Sequence, residues 1–324
     1  MPTGLVILGC GWIALRHAAA ARRLGLDLVF ASRDLGRARA YARRFGARAA
    51  YGSYAEAVSD PRAAGVVVCT PHDRHLADAR LALDAGRHVL VEKPIARTLE
   101  EADEMVEAAR RAGRVLMVAE QFHFMPAFRW VRSLIAAGRL GALRELHLVA
   151  RGWAPRRGWR SSREVVGGGV LIDGGIHYVH NLRCWSGGVR RVFALRPPPT
   201  LPMEGEDAVD LLAELAGGAV GFLANSLGAP GSVKFQWSTV TGTRASCFAD
   251  NRGRLVLVRG GGLPRARWFR RDLRGYEAML RAFAEAMARG VAHEMDGREG
   301  RADLAVVLSA YRSLAEGRPV DVPC

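Results

Sequence analysis

Leu5-Val6-Ile7-Leu8-Gly9-Cys10-Gly11-Trp12-Ile13-Ala14 decides how this chain folds: a short apolar strand, a Gly-x-Gly-x-x-Ala turn, then a helix. Gly9 permits the tight turn, Gly11 lets the backbone approach a pyrophosphate, and Ala14 allows the helix to pack closely on the sheet. The helix N-terminus offers amides and a positive dipole to phosphates. A glycine pattern alone is a weak signal, but placed after the first strand of a β-α-β series it reads as a dinucleotide fingerprint.

The rest of the first 120 residues supplies that series. Strand patterns at Leu5–Leu8, Leu26–Ala31, Gly65–Cys69, His88–Val91 and Val115–Ala119 alternate with helical patterns at Ile13–Leu24, Arg37–Arg44, His75–Ala85 and Leu99–Arg111. This alternation specifies a doubly wound parallel sheet, an α/β Rossmann domain. After a further helix over Ala127–Ala137, β-type segments dominate: Glu145–Arg151, Val192–Arg196, Val209–Leu215, Ala219–Ser226, Phe235–Thr241, Ala245–Phe248 and Leu255–Val258. Helical patterns return at Val170–Trp185, Tyr276–Arg289 and Glu299–Glu316. The expectation is a dinucleotide-binding domain over 1–122 and, over 123–324, an α+β domain with a large, mostly antiparallel sheet.

Composition narrows the class. At 324 residues, 49% hydrophobic and 24% charged, the chain is globular and long enough for two cores. No apolar run approaches the roughly 20 residues of a membrane span. The N-terminus carries no leader pattern, so a cytoplasmic protein with no membrane partner is expected. The net charge of +15 comes from arginines spread over nearly every helix, not from one basic face, and nucleic acid is not an expected partner. Cys10, Cys69, Cys184, Cys247 and Cys324 form no Cys-x-x-Cys pair, so neither a disulfide framework nor a structural zinc site is expected. Lysine occurs only at Lys93 and Lys234. Arginine cannot lose its proton near neutral pH, whereas lysine can be tuned to do so, which singles out Lys93.

Three strand ends carry the candidate chemistry. The second strand ends in Ser32-Arg33-Asp34, with Ser32 where an acid would bind the 2′-hydroxyl of NAD. Arg33 can pair with a 2′-phosphate, which favours NADP over NAD; alternatively it is one more surface arginine and Asp34 a helix cap. Thr70-Pro71, with His72 and His75 nearby, closes the next strand. Glu92-Lys93-Pro94 closes another at the carboxyl edge, where open α/β sheets bind ligands; a plain ion pair is the alternative. In the second domain, Gly167-Gly168-Gly169-Val170-Leu171-Ile172-Asp173-Gly174-Gly175-Ile176-His177-Tyr178-Val179-His180 puts Asp173 and His177 at i and i+4, with His180 on the same helical face. A carboxylate that orients an imidazole suits acid–base chemistry; a structural Asp–His pair and a metal half-site are the other readings. With no further Cys/His cluster in the sequence, no metal is expected.

Together these residues resemble the glucose-fructose oxidoreductase / inositol dehydrogenase / rhizopine-catabolism (Gfo/Idh/MocA) family. The likeness runs through Gly-x-Gly-x-x-Ala at Gly9, Thr70-Pro71 with His75, Ala85-Gly86-Arg87-His88-Val89-Leu90-Val91-Glu92-Lys93-Pro94, Trp159-Arg160, the glycine run and Asp173-x-Gly-x-His177. The resemblance implies reversible hydride transfer between NADP or NAD and a sugar, cyclitol or related alcohol or ketone. It puts Lys93 at the reacting oxygen with Asp173 and His177 beside it, and His123 and His180 on the substrate side. Gly9, Gly11, Trp12, Ile13, Ala14, Ser32, Arg33, Thr70, Pro71, His75, Glu92, Lys93, Gln121 and Arg160 would line the cofactor. It further implies a cis Lys93–Pro94 bond and a homodimer or homotetramer. The chain departs from the family at His180, where many members carry Asp, at His123, where Arg is common, and at Ser32. A non-catalytic dinucleotide sensor and a nicotinamide-dependent glycosidase are the alternative functions.

Overall fold

The computed structural model describes residues 4–231, 235–262 and 264–323; Lys234 and Cys324 lie outside them. The chain divides into two compact units, Met1–Glu120 with Tyr276–Arg301, and Gln121–Gly275 with Ala302–Cys324. The sequence reading put a boundary between residues 122 and 123, and the first cut between units follows Glu120. The second unit, however, is not continuous to the C-terminus. Tyr276–Arg301 returns to the first unit, where Tyr276 packs edge-on against His17 with ring centroids 5.5 Å apart and Met295 O accepts from Val118 N–H at 3.0 Å.

The first unit holds β1 (Gly4–Leu8), α1 (Trp12–Arg23), β2 (Leu28–Ala31), α2 (Leu35–Phe45), β3 (Ala49–Tyr51), α3 (Tyr54–Val58), β4 (Ala63–Val68), α4 (His75–Asp84), β5 (His88–Glu92), α5 (Leu99–Ala112) and β6 (Leu116–Ala119). Its strands run parallel in the order β3-β2-β1-β4-β5-β6. The order reverses between β1 and β4, and the carboxyl ends of such neighbours form the ligand crevice of doubly wound sheets. β1 is buried along its whole length, and α1 packs on the sheet through Ala14, Ala18, Ala20 and Ala21. β3 and α3 escaped the sequence reading because three and five residues are too few to show a period.

The second unit holds α6 (Gln121–Phe124), α7 (Pro126–Ala136), β7 (Leu143–Arg151), α8 (Arg163–Val166), α9 (Ile176–Ser186), β8 (Val189–Leu195), β9 (Ala208–Leu215), β10 (Val220–Ser226), β11 (Phe235–Gly242), β12 (Ser246–Asp250), β13 (Leu255–Arg259), β14 (Arg265–Trp268) and β15 (Val320–Asp321). The helices α10 (Tyr276–Arg289) and α11 (Gly297–Glu316) complete the chain, α11 belonging to this unit from Ala302 onward. The nine strands are ordered β14-β13-β12-β11-β7-β10-β9-β8-β15, and all pairs are antiparallel except β10–β7. α7 and α9 pack on one face of this sheet, against β12 and β13 and against β7 to β10. On the other face Phe193, Leu212, Phe222, His147, Thr239, Phe248 and Leu257 stand in one register row across seven strands. Leu212 is 49% exposed and Phe248 and Leu257 are each 37% exposed.

The helix expected over Val170–Trp185 is interrupted. Leu171–Gly175 forms a π-helical turn, and the α-helix proper begins at Ile176. No helix of the described residues is long and apolar enough to cross a membrane.

Candidate active site

In the first unit the site begins at the β1–α1 turn. Gly9 has φ 89°, and a Cβ there would stand 2.9 Å from Cys69 O, so both torsion and space demand glycine. Gly11 differs: a Cβ on it would meet nothing within 4 Å. No protein atom requires that glycine, so its small size serves whatever approaches from outside. α1 has no side-chain cap and no acid in its first turn, which leaves its leading amides to accept an anion. At the end of β4, Thr70 Oγ1 is buried without a hydrogen-bond partner among the described residues, beside the turn where Thr70 Cγ2 limits Gly9. Glycine cradle, free helix end and orphaned hydroxyl together fit a dinucleotide. Cys10 and Cys69 are bystanders, their thiols pushed up by burial, Cys10 to about 11.

The end of β2 is polar but not acidic. Ser32 is buried and its hydroxyl accepts from Asp34 N–H at 3.2 Å, while Asp34 Oδ1 caps α2 by accepting from Arg37 N–H at 3.1 Å. Arg33 is exposed. Trp12 is 61% exposed under the Arg16 guanidinium, 5.2 Å from its ring centroid. Ile13 and Ala14 are the helix's half-buried and buried anchors.

Glu92 and His75 hold Lys93 in place. Glu92 is buried, its Oε1 2.7 Å from His17 Nε2 on α1, and its Oε2 accepts from Lys93 N–H at 3.3 Å. The Lys93–Pro94 bond is cis, as the resemblance implied. His75 is fully buried, with Nδ1 2.8 Å from Pro94 O and Nε2 3.1 Å from Thr70 O. Burial pushes its pKa down and outweighs the two carbonyls, which favour the protonated ring. Both imidazole nitrogens are thereby engaged by backbone. Glu92 and His75, expected to line a cofactor, act as braces that tie the end of β5 to α1 and to the end of β4.

In the second unit, Asp173 sits in the π-helical turn and is 6% exposed. Arg156 Nη2 lies 3.0 Å from its Oδ2, a charge contact without the alignment of a directed hydrogen bond, and Arg160 Nε lies 3.8 Å from Oδ1. Arg160 also stacks over Trp159, 4.3 Å from the ring centroid. His177, at the start of α9, stacks on Phe122 at 4.7 Å and 17°. Gln121 opens α6 and its carbonyl accepts from Met125 N–H at 3.1 Å. His123 and His180, expected on the substrate side, are both buried and pair with each other at 3.2 Å, with His180 Nδ1 2.8 Å from Asp303 Oδ2. The two departures from the family pattern thus meet inside one network.

Three contributors were not legible in the sequence. Tyr41 on α2 donates to Gly11 O at 3.1 Å and steadies the β1–α1 turn from thirty residues away. Tyr311 Oη accepts from Gly169 N–H at 3.1 Å and Ile172 N–H at 3.2 Å and donates to Glu206 Oε1 at 2.8 Å. Glu206 Oε1 also accepts from Leu171 N–H at 2.9 Å. The amides that lead into Asp173 are therefore held by residues from a loop and from α11. The glycine run hinted at a close approach: a Cβ on Gly168 would lie 2.3 Å from Tyr311 Oη and one on Gly169 2.2 Å from Glu206 O.

Comparison with known proteins agrees with this geometry. Residues 3–120 match the family described as "Oxidoreductase family, NAD-binding Rossmann fold", and residues 128–248 match the "GFO/IDH/MocA C-terminal domain". A 1,5-anhydro-D-fructose reductase of Ensifer adhaerens is 39% identical over 184 residues, 55% of this chain and 54% of the relative. A trans-1,2-dihydrobenzene-1,2-diol dehydrogenase of Macaca fuscata fuscata is 39% identical over 164 residues, 50% of this chain and 48% of the relative. The chain spans about half the length of the curated relatives it matches. Among solved structures, an aldose-aldose oxidoreductase from Caulobacter crescentus complexed with glycerol superposes with TM-score 0.89 at 25% identity, covering 99% of this chain and 100% of that one.

Proposed function

Because the chain belongs to the Gfo/Idh/MocA oxidoreductase family, we propose that it interconverts an alcohol and a ketone on a sugar, cyclitol or related polyhydroxylated substrate, with NADP(H) preferred over NAD(H). The bound nicotinamide supplies or accepts the hydride. One observation carries the proposal: Lys93, the sole lysine of the described residues, stands at the carboxyl end of β5, fixed by Glu92 and by the His75 clamp on Pro94. Lys93 then serves as the cation that holds the substrate oxygen and stabilises it as an alkoxide. His177 accepts the hydroxyl proton in the oxidative direction, with Asp173 in the turn that precedes it. In this reading Gly9, Gly11, Trp12, Ile13, Ala14, Thr70 and Pro71 hold the dinucleotide and Ser32 and Arg33 its ribose end, and Gln121 and Arg160 belong to the same cofactor set.

The four free cysteines among the described residues support a reducing, cytoplasmic setting. The apolar row on the sheet of the second unit supports a homodimer or homotetramer.

The test is turnover with NADP(H) and NAD(H) on a panel of polyols and sugars that includes 1,5-anhydro-D-fructose and trans-1,2-dihydrobenzene-1,2-diol. In Lys93→Met, turnover falls about 10²-fold or more, the scale of losing a positioned electrostatic group, while NADPH still binds in a fluorescence titration. Equal turnover in the two proteins removes Lys93 from the mechanism. The absence of any turnover across the panel leaves the chain a dinucleotide-binding protein without this activity.

A further inference from the structure

The second unit contains a cysteine whose surroundings differ from those of the other described thiols. Cys184 lies on α9, partly exposed, on the helical face it shares with His180. One ring nitrogen of His123, one of His180 and the Cys184 Sγ lie within 4.8 Å of one another. Arg132 on α7 donates from Nη1 toward Cys184 Sγ at 3.8 Å and lies 3.1 Å from His123 Nε2. His180 Nδ1 is 2.8 Å from Asp303 Oδ2, and Asp303 Oδ1 accepts from Arg183 Nε at 2.8 Å. A cysteine, a histidine and a carboxylate that orients that histidine form the constellation that activates a sulfur nucleophile.

We propose that Cys184 is a nucleophilic thiolate, held by Arg132, His123 and the His180–Asp303 pair, and a site of reversible modification by low-molecular-weight disulfides. Charge supports the thiolate over a metal ion. Asp303 answers Arg183, and Arg132 brings a further positive charge against the sulfur, which suits an anion there and opposes a divalent cation. Burial by itself would push this thiol up; hydrogen bonds from His123 and His180, the charge of His180 and the Arg132 hydrogen bond overcome it and bring the group to about 5. Cys247 shows the opposite case, pushed up by burial to about 12. In the reaction, Cys184 Sγ⁻ attacks one sulfur of a disulfide RSSR. The Cys184–SR bond forms as the RS–SR bond breaks, and the departing RS⁻ takes a proton from solvent. Cys184 is oxidised, the released thiol is reduced, and no other reactant is needed.

The test uses the full-length protein carrying Cys324→Ser, alkylated with iodoacetamide between pH 4 and 9 and mapped by peptide mass. Cys184 reacts first, with a rate that rises through a midpoint near 5 and is flat from pH 6 to 8, at least about 100-fold faster at pH 6 than Cys10, Cys69 or Cys247. Oxidised glutathione adds one adduct, at Cys184, and dithiothreitol removes it. Arg132→Lys retains the charge and keeps the low midpoint, whereas Arg132→Met raises it. The wild-type profile decides the question even where a variant fails to fold. A midpoint near an ordinary thiol's value of about 8.5, or no labelling at Cys184, overturns the proposal. So does stoichiometric protection by micromolar zinc, which would make the three residues a metal site instead.

Discussion

In the proposed function, cofactor choice turns on Arg33. It is exposed at the carboxyl end of β2 and makes no ion pair among the described residues, while its neighbour Asp34 is occupied as the cap of α2. A carboxylate at this strand end would accept from the ribose hydroxyls and repel a 2′-phosphate; the Ser32 hydroxyl, which accepts from Asp34 N–H, carries no charge to repel that phosphate. The guanidinium is then the group placed to recognise a phosphate. A charged hydrogen bond contributes about 1.5–3 kcal/mol, so Arg33→Ala weakens NADP(H) by roughly ten- to 150-fold and leaves NAD(H) nearly unchanged. Binding titrations of the two cofactors measure this directly. Equal losses for both would mean that Arg33 only stacks on adenine, and the preference for NADP would fall.

At the scale of elements, the π-helical turn that carries Asp173 is the feature most dependent on its surroundings. A π turn interrupts the i to i+4 ladder of an α-helix, so its amides need partners of their own. Tyr311 and Glu206 provide them at Gly169, Leu171 and Ile172. Tyr311→Phe removes an acceptor for two buried amides and costs about 1–3 kcal/mol, visible as a lowered midpoint in thermal or urea unfolding. A loss within a few tenths of a kcal/mol would show that water replaces the hydroxyl there. The same clamp gives stability a pH dependence. Burial raises the Glu206 pKa above its usual 4.5, against the hydrogen bonds that favour its charged form. The folded state therefore holds the proton more tightly than the unfolded chain. The contribution is full below about pH 4.5 and is lost as pH rises through the folded value. In Glu206→Gln the difference from wild type in unfolding free energy changes across that window and is constant well above it. A difference that stays flat throughout would mean that Glu206 titrates as if exposed.

At the scale of the whole molecule, the proposed assembly rests on the open face of the nine-stranded sheet. A row from Phe193 to Leu257 crosses it, and α7 and α9 pack on the opposite face. Apolar area of this kind, left to water, marks an association surface. The protein is expected to scatter light as a dimer or tetramer at micromolar concentration, and Leu212→Glu to shift it toward monomer without loss of the fold. A wild-type monomer under these conditions would contradict the assembly.

The sequence by itself determined what depends on local pattern. A β-α-β alternation, a glycine turn after Leu8, a lysine at a strand end in a chain almost without lysine, and an Asp-x-Gly-x-His run are all written in neighbouring residues. Each is legible because its periodicity or torsional demand is local. The tertiary structure decided everything that depends on which distant residues meet. His75 reads as a ligand-facing imidazole until Pro94 O and Thr70 O appear at its two nitrogens. His123 and His180 read as two separate departures until Asp303, more than a hundred residues on, is found against His180. The return of Tyr276–Arg301 to the first unit leaves no trace in the pattern, because an amphipathic helix records that it has an apolar face and not which surface that face will cover.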